Sequence, residues 1–287
     1  MKPLFNKICI VGVGLIGGSL GLAIKKRGLA KFVVGVTRRK ETAKHAAQYK
    51  VVDMATMNLS EGVSGADLVI LCGPVSVILD QIKILPKFLN KKTIVMDVGS
   101  SKVQIEKTAK KYFRVGAHGR APLPVFVGCH PMAGSANRGL EYADADLFQG
   151  AQCFLASKNN KVEPLWKALG ANPVQLSAKQ HDEWVSVFSY LPHALAFSLF
   201  QNQVMKNFSA SQLRALNPSV RELARLAKSD AALWSDIFIS NESLLAALLS
   251  LEKGIHVMKQ SLRAKNKGSL EKFIRLSNKN SQKFIPS

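Results

Sequence analysis

The stretch ICIVGVGLIGGS, residues Ile8–Ser19, decides the fold. Its first four residues are apolar and read as a buried strand. Gly12, Gly14 and Gly17 then form a GxGxxG, and Ser19 to Arg27 reads as a helix closed by Gly28. Alone, the glycine pattern is a weak signal. Between a strand and a helix it meets the context that a dinucleotide-binding turn requires. Gly12 permits the tight turn, Gly14 lets the backbone approach a pyrophosphate, and Gly17 lets helix and strand pack closely. The backbone N–H groups around Leu15 and Ile16, backed by the helix dipole, then hold the anion.

The alternation continues outward from this turn. Phe32–Val36, Asp67–Cys72, Thr93–Asp97, Val125–Cys129 and Gln152–Ala156 all read as strands, with amphipathic stretches between them. Continuous apolar runs separated by helices predict a parallel sheet covered on both faces. The expected class is therefore α/β, with a Rossmann-type nucleotide-binding domain over residues 1–177. After about residue 177 long helical patterns take over, so residues 178–287 are expected to form an all-helical domain. There Leu244, Leu248, Leu251, Ile255, Met258 and Leu262 make one apolar stripe at helical spacing. It reads as a bundle core, a dimer seam, or both.

The end of the second strand reports on the cofactor. About 20 residues past the glycines, an NAD-binding chain usually carries Asp or Glu to accept bonds from the ribose hydroxyls. This chain reads Gly35-Val36-Thr37-Arg38-Arg39. The acid is missing, and guanidinium forks pair well with phosphate. Thr37, Arg38 and Arg39 therefore predict NADP in preference to NAD, with NAD as the alternative.

Composition narrows the class. At 287 residues, 47% of them hydrophobic, the chain supports two cores and is not disordered. Cys9, Cys72, Cys129 and Cys153 are scattered and form no CxxC pair. That spacing, with no signal peptide at the start, predicts reduced thiols in a cytoplasmic protein and no zinc site. His45, His118 and His256 have no acidic partners nearby in sequence, and no metal is expected. Trp184–Met205 lacks charge and is long enough to span a membrane, but its Pro192, His193, Gln201, Asn202 and Gln203 favour a buried helix. The net charge of +21 could draw nucleic acid, yet the basic residues are dispersed and no recognition element accompanies them. A solvated basic surface is the expected reading.

A second stretch carries chemistry: VGCHPMAGS, residues 127–135, where His130 leaves a strand into a loop of small residues. Read alone, it fits a histidine bonded within its own loop. Its neighbours in sequence order change that reading. GVGLIGGS, DVGSSK (97–102), GCHPMAGS (128–135), SYLPH (189–193) and RLAKSDAALWSDI (225–237) together resemble the prephenate/arogenate dehydrogenases over nearly the whole chain. HPMAGS is the most specific of these motifs.

The resemblance implies an enzyme of tyrosine biosynthesis that oxidatively decarboxylates a cyclohexadiene, prephenate or arogenate, with hydride passed to NAD(P). It also implies a cytoplasmic homodimer formed through the helical domain. His130 falls at the catalytic histidine, and Ser100 at a serine that helps position it. Ser135, Ser189, His193, Arg225 and Trp234 fall near the substrate, with Arg225 pairing a carboxylate and Trp234 reading equally as a core aromatic. Arg221, one turn before Arg225 on the same helix face, adds positive charge. Tyr190 stands where the family usually has a first histidine, so this position does not choose between a keto acid and an amino acid side chain. His181 and Asp182 read as a solvated helix start. Lys102 reads equally as a cation near the cofactor or as an exposed residue. No separate regulatory domain or fused mutase is expected. Two other classes stay open: another two-domain dehydrogenase of β-hydroxyacid or imine-reductase type, and a non-catalytic basic protein that binds nucleic acid.

Overall fold

The computed structural model describes residues 2–115, 124–135, 137, 139–201 and 218–283. His118 and residues 202–205, which end the uncharged stretch, lie outside the described residues. The first strand β1 (Phe5–Val11) pairs in parallel with β2 (Ala30–Val36) on one side and β4 (Leu68–Leu71) on the other. Around them the sheet grows to β3 (Met54–Thr56) at one edge, and through β5 (Ile94–Asp97), β7 (Val125–Pro131) and β8 (Gln152–Leu155) to β9 (Asn172–Gln175) at the other. The short β6 (Arg114–Val115) also pairs with β7. Strands β3, β6 and β9 were not expected. They are short, and the partly polar run Asn172-Pro173-Val174-Gln175 gives no apolar signal.

The parallel expectation needs one correction: β7 and β8 run antiparallel, pairing His130 with Phe154. A parallel pair needs a crossover, usually a helix, to carry the chain back. Between β7 and β8 the described chain has only the short 3₁₀ turn Leu140–Tyr142, so it reverses direction instead.

Helices cover both faces of the sheet. They are α1 (Leu15–Lys26), α2 (Lys40–Gln48), α3 (Leu59–Val63), α4 (Val75–Ile84), α5 (Val103–Ala109) and α6 (Val162–Ala168). One core, including Ile8, Ile10, Leu20, Leu68, Ile70 and Trp166, lies on one face of the sheet. Cys9, Val11, Val69, Leu71, Ile78 and Ile105 belong to the other. Successive residues of β1 and β4 thus alternate between cores, as the pleat dictates. Helix α1 begins at Leu15, four residues before the expected Ser19, and Gly28 closes it at φ +62°.

Further helices follow: α7 (Ala178–Val185), a π-helical turn (Ser186–Tyr190), α8 (Leu191–Gln201), α9 (Pro218–Ala227), α10 (Ala231–Ser240), α11 (Ser243–Arg263) and α12 (Lys267–Ser281). The change of texture expected near residue 177 marks the last described strand. Compactness divides the chain elsewhere, into Met1–Asn241 and Glu242–Ser287. Among the described residues, no single helix is long and apolar enough to cross a membrane.

The glycine turn yields a stability contrast. A Cβ on Gly17 would strike the Gly12 carbonyl oxygen, whereas a Cβ on Gly14 meets nothing within 4 Å. Gly17→Ala is expected to lose about 1–3 kcal/mol in urea unfolding. Gly14→Ala should stay within about 0.5 kcal/mol of the parent, while weakening dinucleotide binding measured by fluorescence titration.

Candidate active site

The site lies at the carboxyl ends of the parallel strands, where open α/β sheets bind their ligands. The turn after β1 builds the first part. Gly12 holds φ +101°, a conformation that suits glycine, and its open side faces the Cys72 carbonyl. Helix α1 starts with no side-chain cap and no acid in its first turn. Its leading N–H groups are left for an anion, and the empty space over Gly14 admits one. These residues fit a dinucleotide pyrophosphate. Two clefts meet here, sharing Gly14 and the turn Cys72-Gly73-Pro74. One runs over Thr37, Arg38 and Arg39 at the end of β2. The other, of about 350 Å³, runs past Leu15 and Ile16 to Ser100, His130 and Ser135.

Helix α10 roofs this second cleft with Leu233, Asp236 and Ile237. Polar contacts hold the roof to the strand ends. The Asp236 carboxylate accepts the Val75 N–H at 2.7 Å and the Ser76 N–H at 3.4 Å, satisfying the N-terminus of α4. The Ser240 and Ser101 hydroxyls lie 2.8 Å apart. The Asn241 amide donates to the Asp182 carbonyl at 3.0 Å.

From the half-buried His130, which borders the cleft, a chain of buried groups runs back into the protein. His130, at the end of β7, has its Nδ1 2.8 Å from Nε2 of His181. His181 in turn has its Nδ1 2.7 Å from Oδ1 of Asp182. The same carboxylate accepts the backbone N–H of Lys102 at 2.7 Å and of Val103 at 2.9 Å, at the start of α5. Lys102 is 2% exposed, and its ammonium pairs with Asp97, which is fully buried and also accepts the Gly99 N–H at 2.8 Å. Burial pushes the Asp97 carboxyl above its ordinary range, while the Lys102 ammonium and the Gly99 N–H oppose the rise. Burial, the His181 ring and the Lys102 ammonium all push His130 well below the usual imidazole range. His181 is also lowered, chiefly by burial, with its bond to Asp182 pulling the other way. Both imidazoles are therefore neutral at neutral pH.

Comparison with known proteins places this arrangement. The family model described as prephenate dehydrogenase, nucleotide-binding domain, matches residues 20–173, and the prephenate dehydrogenase dimerization domain matches residues 177–276. The chain belongs to the prephenate dehydrogenase family. It is 30% identical to the prephenate dehydrogenase of Lactococcus lactis subsp. cremoris (strain MG1363), over 93% of this chain and 74% of that protein. It is 32% identical to that of Bacillus subtilis (strain 168), over 84% of this chain and 66% of that protein. In structure it resembles the A. aeolicus prephenate dehydrogenase in complex with hydroxyphenyl propionate and NAD+. That likeness has a TM-score of 0.78 and 26% identity, over 96% of this chain and 98% of the other. Membership decides against the β-hydroxyacid dehydrogenase, imine reductase and nucleic-acid readings.

Of the residues that the family resemblance singled out, His130, Ser100 and Ser135 share one cleft with Leu15, Ile16 and Gly14. Others sit elsewhere. Tyr190 is 2% exposed, and its hydroxyl donates to the Ser100 carbonyl at 2.5 Å. The widened π turn carries it inward, so it braces Ser100 rather than facing the cleft. His193 donates Nδ1–H to the Ser189 carbonyl at 2.9 Å and stacks on Trp234 with ring centroids 3.6 Å apart. Trp234 also meets Tyr190 edge-on, within an aromatic cluster that includes Phe238. Arg225 is exposed and paired with Glu222 at 2.5 Å, and Arg221 is exposed as well. Neither lines the cleft, because α9 projects both toward solvent. Among the described residues, no group of His, Cys, Asp and Glu could hold a metal.

The sequence reading gave His181 and Asp182 no place in the site, left Lys102 open, and did not single out Asp236. His181 and Asp182 are 1% and 2% exposed, not a solvated helix start, because α7 turns Ala178, His181, Asp182 and Val185 inward together. That spacing is one helix face, and two polar residues on it were the available signal. Lys102 is not exposed: it stands at the start of α5 with its ammonium buried against Asp97. An NMR titration of the ring protons should show His130 still neutral below pH 6.5, the ordinary imidazole value; protonation at or above that pH contradicts the burial argument.

Proposed function

We propose that the chain oxidises prephenate, arogenate or both, releasing carbon dioxide and forming 4-hydroxyphenylpyruvate or tyrosine. The observation that carries this reading is a neutral histidine, His130, opening into a cleft continuous with the dinucleotide cradle. The L. lactis and B. subtilis relatives, both prephenate dehydrogenases, support it. When bound, the nicotinamide supplies the hydride acceptor. The Gly12–Gly17 turn would hold the pyrophosphate, and His130 borders the cleft that continues from it. His130 accepts the proton of the substrate's ring hydroxyl as the hydrogen on the same carbon leaves with its electron pair. The ring carboxylate then departs as carbon dioxide. Its bonding electrons complete the aromatic ring, which makes the step irreversible. Ser100, braced by Tyr190, orients the hydroxyl.

The finer readings rest on particular residues. Thr37, Arg38 and Arg39 at the end of β2, with no acid among them, support NADP over NAD. Arg225, with Arg221 adding positive charge, serves as the carboxylate clamp only if it leaves Glu222 and turns from solvent toward the cleft, which it does not line in this structure. Ser135 borders the substrate, while Ser189, His193 and Trp234 shape the wall behind it. The free cysteines support a reducing, cytoplasmic setting.

Residues 178–287 are the helical substrate and dimerisation part, and the chain works as a homodimer. Along α11, Leu248, Ile255, Met258 and Leu262 are all exposed, an apolar stripe that a second copy would cover.

An absorbance assay crossing prephenate and arogenate with NAD and NADP tests the activity. Turnover of at least one cyclohexadiene, with NADP preferred, is expected. His130→Asn should lower kcat by about 10²–10⁴-fold. No turnover of either substrate would sink the reading, and a strong NAD preference would remove the role of Arg38 and Arg39. Light scattering is expected to give a dimer of the 31.3 kDa chain. Leu262→Asp should shift it toward monomer, and an unshifted mass rules out α11 as the seam.

A further inference from the structure

His181 and Asp182 are not spare polar residues near the cleft. They decide which nitrogen of His130 carries the proton. A carboxylate only accepts hydrogen bonds. Asp182 already takes the N–H groups of Lys102 and Val103, so it is fixed in place by the start of α5. His181 must therefore donate its Nδ1–H to Asp182, which leaves a lone pair on Nε2 of the neutral ring. That lone pair faces Nδ1 of His130 at 2.8 Å, so His130 must supply the hydrogen. With its proton held on Nδ1, His130 keeps a bare Nε2. Among the described residues no hydrogen bond to that nitrogen is seen, and the ring borders the cleft.

We propose that His181 and Asp182 are a positioning pair that locks His130 in the Nδ1–H tautomer and so makes Nε2 the proton acceptor. The proposal deepens the reading of His130 as the base and rests on it. The logic parallels the orienting aspartate of a serine-protease triad, which holds its histidine in the productive tautomer. Here an extra imidazole stands between carboxylate and base. The Asp182 carboxylate also stabilises, through His181, the imidazolium that forms when His130 takes the substrate proton. The Lys102 ammonium, paired with Asp97, opposes positive charge on both rings, so neither neutral histidine takes up a second proton before substrate arrives.

Two measurements test it. The first needs no turnover: nitrogen NMR of the 15N-histidine-labelled protein at pH 7.5. Both His130 and His181 are expected to carry hydrogen on Nδ1 and to show a bare Nε2; a His130 protonated on Nε2 overturns the proposal. The second uses substitutions of His181. His181→Asn keeps a polar group beside Asp182 but cannot reach His130. His181→Gln extends a carbonyl to the place of the lost Nε2. His181→Asn is expected to lower kcat about 100-fold with KM changed less than about threefold, and His181→Gln to recover most of the loss. Equal kcat in the parent and both variants, or equal losses in both, overturns the proposal. If the parent turns over neither prephenate nor arogenate, the activity reading fails. The NMR outcome still decides the tautomer.

Discussion

The carboxylate of Asp182 is the fixed point of the site. Two backbone N–H groups at the start of α5 and one imidazole N–H converge on it, in a place where the side chain is almost wholly buried. A buried carboxylate left short of donors is costly, so these bonds form together or not at all. Through them α7 is tied to the loop that carries Ser100, and His181 is delivered to the back of His130. The end of β7 and the start of α7 are 51 residues apart in the chain, and this contact makes them one unit.

The same loop also carries the opposite charge. Asp97 ends β5, and Lys102, a few residues on, folds back beneath the strand ends to meet it. Such a pair gives little net stability against a well-packed apolar alternative, but removing one partner strands the other without water. Its position beside two neutral imidazoles gives it a further consequence. The ammonium disfavours their protonation, as the proposed role of His130 as a general base requires. Structure and chemistry share one set of atoms here, so the DVGSSK segment is constrained on every side.

The roof over the cleft depends on the same principle of satisfied polar groups. Asp236 reaches the free N–H groups of α4, Ser240 meets Ser101, and Asn241 binds the carbonyl of Asp182. Leu233 and Ile237 on the same face of α10 keep the cleft apolar between these ties. The adjoining flank of α10 packs Trp234 into a ring cluster with His193 and Tyr190, and Tyr190 returns to Ser100. A residue two positions from the cleft thus acts on it only through its neighbours. This is why Tyr190 and Trp234 bear on the site without lining it.

The sequence alone determined what depends on local spacing. The glycine turn, the alternation that makes a sheet covered on both faces, the missing acid after β2 and the exit of His130 from its strand are all properties of a few consecutive residues. Their steric and periodic rules apply wherever the chain goes. Tertiary structure decided what depends on which surface covers another. Whether His181 and Asp182 meet water, whether the Lys102 ammonium is free, where the Tyr190 hydroxyl points and whether Arg225 faces the cleft or Glu222 are set by contacts across the fold. The Asp182 carboxylate, for example, binds a backbone group 80 residues away. Helical periodicity placed His181 on the same face as Ala178 and Val185. Only the arrival of β7 and α5 against that face set this polar pair behind His130.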